Sequence, residues 1–119
     1  MTSLISAAQV PPPELPFEDV PCPPLGGTVR VRALWLSQRL ALEQRIVKLR
    51  AKHADEPDAA VYAVIPDLLA IAVVDAKDQP VYSRTRWEIF GAIHTAIALE
   101  LFNTAWRLSG MSGEDAKKN

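Results

Sequence analysis

Hydrophobic and polar positions change period along this chain, and each change predicts an element. Val29, Val31 and Ala33 alternate with Arg30 and Arg32, the period-two pattern of a strand with one face buried. From Ser37, which fits an N-cap, to about Lys52 the spacing turns helical. Leu42, Ile46 and Leu49 fall on one side, Leu36, Leu40 and Val47 on another, and Arg45, Lys48 and Lys52 form a cationic wall between them. Asp55 to Asp58, enclosing Pro57, reads as a turn. Ala59 to Val74 is apolar enough for a helix or a buried strand, with Pro66-Asp67 as a helix restart or kink. AIAVVD, AKDQ and PVYS then predict a hairpin: a strand from about Ala70 to Val74, a turn from Asp75 to Gln79 without glycine, and a strand to Ser83.

The remaining pattern, from Ser83, is an amphipathic helix with a glycine stop. Thr85 and Glu88 have the spacing of a capping box, which places the start at about Arg86. Phe90, Ile93, Ile97, Leu101 and Leu108 share the core-facing sector, and Gly110 supplies a left-handed cap beyond Ser109. Leu99, Phe102 and Trp106 fall on a separate sector. A helix with two apolar faces needs two partners, and in a chain this small the second partner is expected to be another protein.

These elements predict an α+β fold: one or two short antiparallel pairings packed against two or three helices, with a long C-terminal helix. A mostly α arrangement is the alternative if Ala59 to Val74 is helical throughout. At 119 residues the chain is long enough for one core. Residues 1–27 hold most of its ten prolines, including Pro11 to Pro13 and Pro21-Cys22-Pro23-Pro24, and read as an extended arm that Leu15, Phe17 and Val20 could dock on a neighbour. Residues 28–110 form the globular domain. Residues 111–119, with Glu114, Asp115, Lys117 and Lys118, read as a flexible, solvated tail.

The net charge of −1 hides a segregation. Residues 28–53 carry seven bases against Glu43, and residues 54–83 carry six acids against Lys77. Opposite blocks either attract within the fold or face separate partners. The basic block is the feature that favours nucleic acid, but a pI of about 6.1 and the lack of a helix-turn-helix arrangement make nucleic acid an unlikely partner. No segment approaches the ~20 uninterrupted apolar residues of a membrane span. The lone Cys22 fits a reducing compartment, and a cytoplasmic location is expected.

Catalytic constellations are not legible. His94 sits at the edge of the apolar stripe and reads as core, while His53 at a helix end suits the dipole. Asp75 and Asp78 are expected to bond their own backbone. Cys22 has no activating neighbour, and Gly26-Gly27 precedes a strand and lacks the lysine of a phosphate loop. The chain reads as a non-enzyme with no metal or cofactor.

Residues 28–119 resemble a known family. The resemblance lies in VRVRALWLSQRLALEQR, in LLAIAVVDAKDQPVYS, in WEIFGAIHTAIALELFNTAWRLSG and in the ending GEDAKKN. In this order and spacing they are similar to the tail assembly chaperones of long-tailed, lambda-like bacteriophages and prophages. Lys77-Asp78-Gln79 stands where such proteins often have a glycine. The resemblance implies a protein of the host bacterial cytoplasm, absent from the mature virion, that binds the tape measure protein and recruits tail tube subunits. Leu99, Phe102 and Trp106 would be the client or self-association surface, including any homo-oligomer, with Arg45, Lys48 and Lys52 as steering charges. A frameshifted longer form is also common in the family, and Lys118-Asn119 can be encoded by a slippery run of adenines. The alternatives are a small nucleic-acid-binding regulator and a structural tail or neck subunit.

Overall fold

The computed structural model describes residues 3–111. Of the predicted flexible tail, residues 111–119, Met111 is buried in the core rather than solvated, and residues 112–119 lie outside the described residues. Strands β1 (Phe17–Cys22), β2 (Gly27–Arg32) and β3 (Val73–Val74) form one antiparallel sheet in the order β1-β2-β3. Helix α1 (Leu36–Lys52) follows β2, α2 (Pro57–Ala63) and α3 (Ile65–Ala72) lead into β3, and α4 (Arg84–Ile93) and α5 (Thr95–Leu108) close the chain. The fold is α+β, as the pattern predicts.

The sheet begins earlier than expected. The boundary drawn before Thr28 moves to Phe17, because residues 17–22 pair with residues 27–32 throughout. A proline inside this strand is tolerated for a geometric reason. The Ala33 N–H donates to the Pro16 carbonyl (2.9 Å), so residues 16, 18, 20 and 22 face β2, and Pro21 points its donorless nitrogen to the open edge. Val20 and Cys22 point inward on the same face as Val29 and Val31 of β2, with Val20 paired to Val29, which makes β1 part of the core rather than an arm. On the outer face the Arg30 guanidinium grips Asp19 (2.8 and 3.2 Å) and lies over the Phe17 ring at 4.0 Å. That hydrogen-bonded guanidinium holds the Asp19 carboxyl below its ordinary range. The segment that remains an exposed arm is residues 3–15.

The predicted hairpin is mostly replaced by helix. Ala70 to Ala72 continue α3, and β3 spends its two residues on β2. The return is limited to a bridge between Val74 and Pro80, closed by two bonds, from the Val81 N–H to the Val73 carbonyl and from the Asp75 N–H to the Gln79 carbonyl. The turn works without glycine: Asp75 Oδ1 accepts from the Lys77 and Gln79 N–H groups (2.8 and 3.0 Å), and Asp78 takes the left-handed conformation at φ +59°. Those two donors hold the Asp75 carboxyl below its ordinary range.

Helix starts and stops also shift. Ser37 lies inside α1, which begins at Leu36 with Gln38 Oε1 accepting the Trp35 N–H (3.0 Å). α4 is capped by Ser83, whose hydroxyl accepts from the Arg86 N–H (3.3 Å), rather than by Thr85 and Glu88. Tyr82 before the cap packs edge-on against Trp87 in the first turn, 5.1 Å between centroids, and this hydrophobic staple explains the earlier start. The single rod expected from Arg86 to Ser109 is two helices, divided where His94 leaves helical geometry at ψ 60°. α5 ends as predicted: Gly110 is left-handed at φ +78°, its N–H donates to Arg107, and the Met111 N–H reaches back to Trp106.

That C-terminal cap ties the fold together. Ser109 Oγ accepts the buried Leu34 N–H (3.0 Å), and the Ser109 carbonyl accepts from Arg39 Nη1 (2.9 Å), so both ends of the β2–α1 connection rest on α5. Ser109→Ala leaves the Leu34 donor buried without its acceptor and will cost about 1–3 kcal/mol, read as a lowered denaturant midpoint at unchanged slope.

Candidate protein-binding surface

α5 hides the face expected to bind a partner. Phe102 and Trp106 are buried, with their rings 5.3 Å apart, and Leu99 sits at the border of that face at 36% exposure. Ala98 and Ala105 account for the difference. They lie between the Leu101 sector and the Phe102–Trp106 sector and are themselves buried, so the two apolar sectors are the margins of one broad core face. Small residues at its centre let α5 approach the sheet and α3 closely. The correction to Leu99, Phe102 and Trp106 as an open surface therefore comes from packing: two of the three are core.

The predicted steering charges divide as well. Arg45 is spent within the fold, since its Nε donates to Asp67 (2.9 Å), and Asp67 also takes the Arg84 guanidinium (2.6 Å). One link between the basic and acidic blocks is thus internal. Lys48 and Lys52 remain exposed and take part in no ion pair among the described residues.

The open apolar surface is on α1. Leu42 and Ile46 are buried and Leu49 half-buried, while Leu36, Leu40 and Val47 stand 72%, 48% and 65% exposed. At 100° per residue these three lie within about 40° of one another and span roughly 16 Å along the axis. Exposed Trp35 stands at the N-terminal end of this stripe. Glu43, the one acid on α1, falls in the gap of the stripe and is paired with Arg39 one turn back (3.0 Å). Lys48 borders the stripe on one side, with Arg39 and Arg50 on the other. The spacing of Leu36, Leu40 and Val47 was visible in the sequence. The missing signal was which of two apolar sides the rest of the chain could cover, and the shortness of α2 and α3 limits that cover to one.

Other surfaces offer less. Ile89 and Ile93 are exposed on α4 beside a shallow, open groove lined by Tyr82, Arg86 and Phe90. Cys22 is fully buried, and burial pushes its thiol above the ordinary range, which lowers the thiolate fraction that nucleophilic chemistry requires. His53 caps the end of α1 and His94 the end of α4, and the His94 ring packs on Phe90 at 5.0 Å. Among the described residues no cluster of three or more His, Cys, Asp or Glu is placed to hold a metal ion, and no helix is long and apolar enough to cross a membrane.

Compared with protein-family models, with curated proteins and with solved structures, the chain finds no match in any of the three.

Proposed function

We propose that this chain is a non-catalytic assembly chaperone of the phage tail type, which covers an apolar helical stripe on the tape measure protein and recruits tail tube subunits in the bacterial cytoplasm. The observation that carries the reading is the α1 stripe of Leu36, Leu40 and Val47, left open on a domain whose other long helix is packed. A long tape measure exposes repeated apolar stripes that aggregate unless covered, and helix against helix is the simplest cover. The resemblance over residues 28–119 supports the choice of client.

The size of the stripe suits a reversible holder. Full burial of a Leu or Val side chain contributes about 1.5–3 kcal/mol, and association costs at least ~4 kcal/mol, so three such side chains leave at most about 5 kcal/mol, binding in the sub-millimolar range at best before electrostatic help. A chaperone that must leave before the tail is finished needs that range.

Co-expression of the tagged chain with the neighbouring genes of its source genome tests the reading. Retention of a long helical protein by the unaltered chain, and its loss from Leu40→Glu and Val47→Glu variants that keep their circular dichroism, is the expected result. Retention of nucleic acid alone would favour the regulator, and presence of the chain in mature particles the structural subunit.

A further inference from the structure

The charges around the α1 stripe narrow the kind of partner it accepts. α1 carries Arg39, Arg45, Lys48, Arg50 and Lys52 against Glu43, five bases to one acid. Arg45 is committed to Asp67, and Arg39 shares itself between Glu43 and the Ser109 carbonyl. Lys48 lies about 100° round the helix from the centre of the stripe, and Lys52, one turn further on, about 140°, so Lys48 is the nearer of the two exposed lysines. We infer that the α1 stripe takes an amphipathic helix with acidic flanks, its apolar side on Leu36, Leu40 and Val47 and its carboxylates against Lys48, with Lys52 beyond it adding to the positive field. This rests on the proposed chaperone surface and names the chemistry of its client.

Charge separates this occupant from the others the stripe could take. A second copy laid α1 against α1 brings basic flank to basic flank, and like charges placed together oppose docking. The exposed arm offers Leu4, Ile5 and Val10, but its one acid, Glu14, lies three residues or more from these apolar side chains and gives a single carboxylate against two lysines. Residues 112–119 include Glu114 and Asp115 but no large apolar side chain to cover the stripe. A nucleic-acid duplex satisfies lysines with phosphate and leaves Leu36, Leu40 and Val47 in water.

Two labelled helical peptides with the same leucine stripe, one flanked by glutamate and one by lysine, test the inference by fluorescence anisotropy against the full chain. The glutamate peptide is expected to bind about tenfold more tightly at low salt, in line with a few exposed charge pairs, and the gap will shrink as salt shortens the screening length. Lys48→Glu/Lys52→Glu will reverse the order of the two peptides, and Leu40→Glu will abolish both. All these positions are exposed, so the variants should keep the native circular dichroism. Equal affinities, or an order that ignores the charge reversal, overturn the inference. So does a dimer of the chain alone that Leu40→Glu dissociates, or a duplex that binds through Lys48 and Lys52 with Leu40→Glu unchanged. If the peptides behave as expected while no neighbouring gene product is retained, the chemistry of the surface stands and the chaperone reading fails. If a product is retained through Leu40 while the peptide order fails, the reverse holds.

Discussion

Trp106→Ala will cost the fold about 3–5 kcal/mol, and Leu101→Ala about 2–5 kcal/mol, whereas Leu99→Ala will change stability by less than about 1 kcal/mol. Trp106 is 7% exposed, Leu101 is fully buried, and Phe102 stacks at 5.3 Å on Trp106. Removing the indole leaves a cavity among close-packed neighbours that relax only partly, and it strips Phe102 of a ring contact. Folded domains of this size are stable by about 5–15 kcal/mol, so the loss is a large share of the total. Denaturant unfolding followed by circular dichroism reads the ranking directly. A Trp106→Ala midpoint equal to that of the unaltered chain would sink the assignment of Trp106 to the core. The same result governs how a pull-down is interpreted: loss of a client from Trp106→Ala reports loss of fold, and only α1 variants such as Leu40→Glu report loss of surface.

The contrast between α5 and α1 marks what was legible in the sequence. Both helices carry two apolar sides in their spacing, and periodicity alone treats them alike. α5 buries both because Ala98 and Ala105 join them into one face that fits between the sheet and the neighbouring helices. α1 buries one because its partner, α2, is seven residues long, and the side bearing Leu36, Leu40 and Val47 is left without cover. A small residue between two apolar sectors is a readable signal for a broad core face, whereas the reach of a packing partner is a tertiary property. Local chemistry is legible where one residue decides it: Gly110 at the left-handed stop, Asp75 on its own turn, and the restart before Pro66. It is ambiguous where two choices compete. Ser83 and Thr85 both had hydroxyls to offer α4, and the staple of Tyr82 on Trp87 selected Ser83. Composition misled most at the start of the chain, where proline density argued against a strand although a proline at an outward edge position costs no ladder bond.

Truncation separates arm from domain. Deleting residues 1–15 will leave stability within about 0.5 kcal/mol, because residues 3–15 are exposed and Pro16, whose carbonyl receives the Ala33 N–H, is kept. Deleting residues 1–22 will abolish cooperative folding. It removes Val20 and Cys22 from the core, at about 1.5–3 kcal/mol for a side chain of this kind, and leaves the inward N–H and C=O groups of β2 unpaired along its length. The Glu18–Arg107 ion pair (2.8 Å) joins β1 to α5 as well, but it is exposed at both ends and adds little beside the burial. Together these losses reach the whole stability of a domain this size. Heat-capacity scans of the two truncated chains decide the matter: a cooperative transition for both would put the domain boundary back at Thr28, and a transition for the shorter deletion alone places β1 inside the unit that folds. Limited proteolysis of the full chain should agree, with cleavage concentrated before Phe17 and resistance from Phe17 onward through α5, because a protease needs extended backbone and β1 presents its outer edge only while its inner edge is held by β2.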